Sequence, residues 1–444
     1  MIERITAGNL PLLRNEVLRD YAARYVDAAA DFRDAVSEFG VSFVAPEHSC
    51  SERQIEQMMK SIPRARVCND GKSAVLNWRS SACDVCERGI GTETFVLTLQ
   101  CPHRCFFCFN PNQEDFDGRR AAVRDVCGQL EERAARGASY THLALTGGEP
   151  LLYPEESIAF VAKAKELFPD VHVRLYTSGF GASDEVLARL RAAGLDEVRF
   201  SVKTDAGTDA IERTLQVIAS ATAVIPDVLV EMPVMPDEFD LMKDLLKRLD
   251  EAGARGINLL ELGFPFFNGP EFARRGYALK PGSFRVLYDY AYAGGLPVDG
   301  SEQVALDLMQ YAAAEGLFLG VHYCSMENKH TGQIYHQNRR QKERFPLRCL
   351  SERDYFLKSA KVFGSDRRPV EHILASEDVP FEGNADYDFT EFPLDAMAVL
   401  RDRLPCIEVG VSYAVCESRD TEIALREVRV DLATPEAFNA AEDW

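Results

Sequence analysis

Thr94-Phe95-Val96-Leu97-Thr98-Leu99-Gln100 leads directly into Cys101-Pro102-His103-Arg104-Cys105-Phe106-Phe107-Cys108. An apolar, strand-like run thus ends in three cysteines spaced C-x3-C-x2-C. A loop this short can wrap its thiolates around one face of a small inorganic cluster. Three thiolates suit a [4Fe–4S] cluster with one iron left open, because full ligation takes four. A structural zinc ion would also need a fourth ligand. His103 is the nearby candidate, and it lies between two of the cysteines with little chain to reach a shared metal. Unligated thiols are the third reading.

After a helix-like stretch comes Thr141-His-Leu-Ala-Leu-Thr-Gly147-Gly148-Glu149-Pro150, an apolar strand ending in two glycines and an acid. At the C-terminal end of a parallel strand such glycines let the backbone approach a ligand, and Glu149 can accept from a ligand ammonium. Together CPHRCFFC and TGGEP resemble the radical S-adenosylmethionine (SAM) enzymes, over about residues 90–262. The resemblance implies that Cys101, Cys105 and Cys108 hold a [4Fe–4S] cluster whose open iron chelates the amino and carboxylate groups of SAM. It also implies that Gly147, Gly148, Glu149 and Pro150 bind the SAM amino group and that Phe107 packs near the adenine. An electron donor such as flavodoxin or ferredoxin, reductive cleavage of SAM and hydrogen abstraction from a substrate belong to the same implication. The block His322-Tyr-Cys324-Ser325 is similar to uncharacterised relatives of the pyruvate formate-lyase activating enzymes.

Apolar runs recur at 95–99, 142–145, 171–176, 197–202, 228–235 and 257–262, with amphipathic stretches at 118–136, 154–168, 183–193, 207–221 and 239–252. Strands alternating with helices call for a parallel sheet with right-handed crossovers. The expected fold class is α/β, a partial (β/α)6 barrel with N- and C-terminal extensions. Ligands of such sheets sit at the C-terminal strand ends. That makes Thr177, Ser178, Ser201, Lys203 and Glu231 candidates for cofactor contacts, with Lys203 placed to neutralise the SAM carboxylate. Each also reads as an ordinary polar strand end.

The flanks divide as 1–89, an N-terminal α/β extension, and 263–444, a C-terminal substrate or auxiliary region around the barrel at 90–262. The first flank carries an amphipathic helix over 13–39, a short strand at 41–45, a capping box at Ser51–Gln54 and a strand at 72–78. Cys83-Asp-Val-Cys86 has metal-ligand spacing. With Cys68, and with Cys50 as a fourth ligand, it predicts a second cluster or a zinc site; the plainer reading is reduced thiols. Cys324 and Cys349 are further candidates, while Cys127, Cys406 and Cys416 read as packing thiols. The aromatic run Phe264–Pro270 reads as a cover for the barrel mouth or as a packed connector. Residues 283–316 read as helical with a break near Gly294, and 440–444 as a loose tail.

The chain has 444 residues, 46% hydrophobic, with twelve cysteines and a formal net charge of −20. Residues 1–8 lack the apolar core of a signal peptide, and no apolar run approaches a membrane span, so a reducing cytoplasm is expected. The negative charge repels polyanions and weighs against nucleic acid as a partner. The sequence does not identify the substrate; a peptide and a small metabolite are the candidates. The competing functions are a SAM-binding cluster or zinc protein without turnover, and a nucleic-acid-modifying enzyme.

Overall fold

Apolar strands that alternate with amphipathic helices bury both faces of a parallel sheet, and this pattern builds the larger part of the molecule. The computed structural model describes residues 2–113, 115–281, 295–419 and 422–443. They divide into two compact units, one taking the described residues of 39–330 and the other those of 2–38 and 331–443. The first helix therefore groups with the C-terminal segment, and the rest of the N-terminal region groups with the barrel.

Helix α1 (Glu16–Ser37) belongs to the smaller unit and buries Leu18, Tyr21, Ala22 and Val36. In the larger unit, Ser51 and Gln54 close the expected capping box at the head of α2 (Glu52–Ser61). The stretch at 41–45 forms only an isolated bridge, Phe43 to Leu279, rather than a strand. β1 (Arg66–Cys68) and β2 (Ser73–Leu76) pair as a hairpin, and Ser80 caps α3 (Ser81–Cys86).

β3 (Thr92–Thr98) starts the alternation. The single helix expected at 118–136 is two, α4 (Phe116–Arg120) and α5 (Val126–Ala135). Then come β4 (His142–Gly147), α6 (Pro154–Leu167), β5 (His172–Thr177), α7 (Asp184–Ala192), β6 (Glu197–Phe200), α8 (Thr208–Thr222), β7 (Asp227–Val234), α9 (Phe239–Glu251) and β8 (Gly256–Glu261). Pro154 opens α6, where its missing N–H costs nothing. Gly194, at φ 105°, follows α7 in a conformation that favours glycine.

Beyond β8, the aromatic run forms β9 (Gly263–Phe264) and α10 (Gly269–Arg274), and β9 pairs with β10 (Leu296–Pro297). Of the helix expected at 283–316, α11 (Ser301–Glu315) is present, and the part at 283–294 lies outside the described residues. β11 (Gly320–Cys324) then joins the main sheet, whose order is β1-β2-β11-β8-β7-β6-β5-β4-β3. β3 to β8 are parallel neighbours, β11 adds a seventh parallel strand beside β8, and β2 pairs antiparallel with β11. The short α3 region reaches β4, β6 and β8: Ser81 Oγ meets His142 at 3.1 Å, Ser80 donates to Glu197, and Asn258 donates to Cys83 Sγ at 3.5 Å. One turn and a half of helix can do this only if the sheet curls around it. The fold is a partial (β/α)6 barrel lengthened by β11, β2 and β1.

Helix α12 (Met326–Gln341) follows. The smaller unit then forms an antiparallel sheet from β12 (Cys349–Leu350), β13 (Leu357–Phe363), β14 (Glu382–Asn384), β15 (Phe389–Phe392), β16 (Val409–Arg419) and β17 (Glu422–Ala433). Cys416 is buried there as expected, but Cys406 is exposed and faces Glu436. Residues 440–443 form a short helix rather than a loose tail. Among the described residues no helix is long and apolar enough to cross a membrane.

Candidate active site

Cys101, Cys105 and Cys108 lie on the loop leaving β3, each partly buried. Burial pushes all three thiols up. The His103 backbone opposes that rise at Cys101, the Asn110 backbone at Cys108 and the Lys203 ammonium at Cys105, but burial outweighs them. Cys105 also acts on both other thiols, so the three lie together. Three thiols gathered on one short loop fit a cluster held by three cysteines. His103 does not complete a zinc site: its Nε2 is bonded to Ser178 Oγ at 3.0 Å. Among the described residues, no three His, Cys, Asp or Glu side chains close around one ion.

The aromatic segment after β8 holds this loop from the side. Phe106 is buried and packs edge-on against Phe107 and Phe272, with ring centres 5.2 and 5.1 Å away. Asn268 donates to the Phe106 carbonyl at 3.2 Å, and Asn112 donates to that of Pro265. Of the two readings of the aromatic run, this is the packed connector.

The glycines of TGGEP answer to the neighbouring strand. A Cβ on Gly147 would sit 2.1 Å from the Thr98 carbonyl oxygen, and one on Gly148 2.1 Å from that of Gln100. The amides of Gly148 and Glu149 donate to those same two oxygens, each at 2.7 Å. The close approach expected for a ligand is therefore made by the end of β3. Glu149 is fully buried, and Pro150, also buried, opens the turn after it. One Glu149 oxygen accepts from Thr177 Oγ1 at 2.7 Å and the Leu151 amide at 3.0 Å; the other accepts from the amide and hydroxyl of Ser178. A carboxylate offers about four acceptor positions. All four are taken by protein donors, so Glu149 binds the turn to the end of β5. Ser178 carries the connection on to His103.

At the end of β6, Lys203 donates to Ser201 Oγ at 2.8 Å. Glu231 lies inside the barrel, accepting from Arg199 Nη1 at 2.6 Å and Asn258 Nδ2 at 2.7 Å. Burial pushes Glu231 up, but Arg199, Lys329 and Asn258 outweigh it and hold it below the usual carboxylate range. Arg199 also pairs with the buried Glu197. Sequence reasoning missed this interior network of Arg174, Glu197, Arg199, Asn258 and His322. Its signal was the charge along β5 and β6, since charged residues in otherwise apolar strands must pair or face a lumen. Cys83 faces the same lumen, whereas Cys50 and Cys127 pack on the apolar core, and Cys349 belongs to the smaller unit.

The family model described as Radical SAM superfamily matches residues 95–249. A protein of Methanocaldococcus jannaschii, provisionally named a glycyl-radical enzyme activating enzyme, is 25% identical over 312 residues, 68% of this chain and 78% of its own. A PqqA peptide cyclase of Methylorubrum populi is 39% identical over 115 residues, 26% of this chain and 28% of its own. Among solved structures, Streptococcus suis SuiB bound to precursor peptide SuiA aligns over 39% of each chain with 14% identity and a TM-score of 0.33. Residues 95–249 are a radical SAM domain, and the chain that carries it is an enzyme.

Proposed function

We propose that Cys101, Cys105 and Cys108 hold the [4Fe–4S] cluster that a radical SAM domain implies, and that SAM binds beside them at the C-terminal ends of β4, β5 and β6. When bound, the cluster supplies the electron that cleaves SAM reductively to methionine and a 5′-deoxyadenosyl radical, which takes hydrogen from the substrate. The chain's own residues orient and exclude. Lys203, with Ser201, offers a cation to the SAM carboxylate, and Phe107 offers a ring face to the adenine. Gly147, Gly148, Glu149, Pro150, Thr177 and Ser178 act as one hydrogen-bonded frame that fixes the cysteine loop against the strand ends. Glu231 keeps the lumen charged and ordered. The observation that carries this reading is the grouping of the three partly buried cysteines of the C-x3-C-x2-C loop at the end of β3, within the segment that the family model matches.

A polypeptide or small metabolite is the proposed substrate; one relative is named for cyclising a peptide and another for activating a glycyl-radical enzyme. A flavodoxin- or ferredoxin-type donor and a cytoplasmic location accompany that proposal. The test is anaerobic reconstitution, reduction and addition of SAM. We expect 5′-deoxyadenosine and methionine from the wild type and none from the Cys101→Ala/Cys105→Ala/Cys108→Ala variant. Tight SAM binding without 5′-deoxyadenosine refutes turnover, and iron unchanged in the variant refutes the assigned ligands.

A further inference from the structure

The barrel lumen holds a second group of thiols. Cys68 on β1 is paired with Ser73 on β2, and Ser73 is paired with Cys324 on β11. Residues directly opposite in a sheet point to the same face, so these three side chains share one side. That side is the lumen. His322, two residues before Cys324 and so on the same face, has its Nδ1 3.1 Å from Asn258 Oδ1. Asn258 in turn donates to Cys83 Sγ at 3.5 Å. Cys86 stands one helical turn from Cys83, close enough for each of these two thiols to act on Cys324 and for Cys86 to act on Arg174. Four thiols from β1, α3 and β11 thus lie around one chamber, with Cys83 and Cys324 buried, Cys68 partly buried and Cys86 exposed.

The chamber is built for something it does not itself supply. Arg174 is 4% exposed; its Nε donates to the Tyr176 hydroxyl at 3.2 Å, its Nη1 has no partner, and it makes no ion pair among the described residues. A buried guanidinium without a counter-charge is costly. Ser73 Oγ, on a fully buried residue between Cys68 and Cys324, has no hydrogen-bond partner among the described residues. His322, 2% exposed, has an Nε2 without a hydrogen-bond partner among the described residues. Its protonation follows from the network. Glu231 can only accept, so Asn258 turns its amide nitrogen there and its oxygen toward His322, whose Nδ1 must then carry the proton. Nε2 is left as a bare lone pair. Sulfur-directed donors are present as well: Asn328 Nδ2 lies 3.2 Å from Cys324 Sγ, and Arg199 Nη2 lies 3.6 Å from Cys83 Sγ.

We infer that Cys68, Cys83, Cys86 and Cys324 ligate a second iron–sulfur cluster inside the barrel. The wide backbone spacing of the cysteines favours a cluster, which is larger than a single zinc ion. Cys68 and Cys324 are two strand spacings apart, roughly 10 Å. A tetrahedral zinc ion, with zinc–sulfur bonds near 2.3 Å, draws its thiolates to under about 4 Å from one another. A cluster with four thiolates is larger and carries net negative charge, which gives Arg174 its missing counter-charge. Cys324 takes the fourth place for which Cys50 was a candidate.

The site stands on residues separate from the C-x3-C-x2-C loop, so the two can fail independently. Full-length protein with Cys101, Cys105 and Cys108 changed to Ala is reconstituted anaerobically with iron and sulfide, and iron, sulfide and zinc are measured. We expect about four iron and four sulfide to remain, half of roughly eight in the wild type. Adding Cys86→Ser, an exposed position that threatens folding least, should change the electron paramagnetic resonance spectrum of the reduced protein. Adding Cys83→Ser and Cys324→Ser should remove the iron while circular dichroism stays folded. A triple variant empty of iron overturns the inference and leaves the first site intact, and zinc without sulfide overturns the cluster. Residual iron indifferent to Cys86, Cys83 and Cys324 overturns the ligand set. Iron equal to the wild type in the triple variant instead counts against the first site.

Discussion

Replacing Glu149 by Gln separates a ligand acceptor from a structural clamp. In the wild type four donors converge on the carboxylate: Thr177 Oγ1, the Leu151 amide, and the amide and hydroxyl of Ser178. Glutamine keeps one acceptor oxygen and puts an NH2 where the other oxygen stood. Whichever way it turns, a buried backbone N–H, of Leu151 or of Ser178, faces another donor. A hydrogen bond to a charged group contributes about 1.5–3 kcal/mol, and a stranded buried donor costs about 1–3 kcal/mol. The Ser178 hydroxyl can rotate to accept and recover part of this. The expected net loss is about 2–5 kcal/mol, read as a lower urea midpoint by circular dichroism on the apo-protein, with SAM affinity measured separately by calorimetry on the reconstituted protein. If stability stays within about 0.5 kcal/mol while SAM affinity falls tenfold, the clamp argument is wrong and Glu149 is the ammonium acceptor the motif first suggested.

Gly148→Ala should destabilise by about 3 kcal/mol, because the new methyl would meet the Gln100 carbonyl oxygen at 2.1 Å and backbone atoms cannot swing aside; an unchanged urea midpoint would refute the close approach. Burial pushes Glu197 up, yet Arg199, His172 and Ser80 outweigh it and hold its pKa well below the usual value. The stability this gives is present above the unfolded carboxylate pKa near 4.3 and is lost as pH falls below it. Urea midpoints of wild type and Glu197→Gln should therefore differ by more at pH 6 than at pH 3.5, the gap closing further as pH falls toward the depressed folded pKa, and a constant gap would exclude the linkage.

The barrel strands were readable because each buried strand is a nearly continuous apolar run between amphipathic stretches. What depended on distant partners was not readable. The stretch 118–136 has helical spacing, yet Arg124 donates its amide to Leu97 at 2.8 Å and Val123 bridges to Thr98, so pairing with β3 splits the helix. β2 reads as a strand, but nothing local says that it pairs with β11. α3 is six residues long, too short for periodicity to reveal. The cysteines of the candidate site were legible because their spacing is local. The saturation of Glu149 was not, because two of its partners, Thr177 and Ser178, come from the end of β5.

The pairing of β2 with β11 also orders events during synthesis. Asn69, at the turn between β1 and β2, bonds Asn328 across 259 residues of chain. Ribosomes adding roughly 5–20 residues per second leave the first hairpin without its neighbour for roughly 10–50 s. For that interval Cys68, Cys83 and Cys86 are made while Cys324 is not, and the edge of β2 is uncovered. The ligand set proposed for the lumen is therefore completed only when the seventh parallel strand arrives.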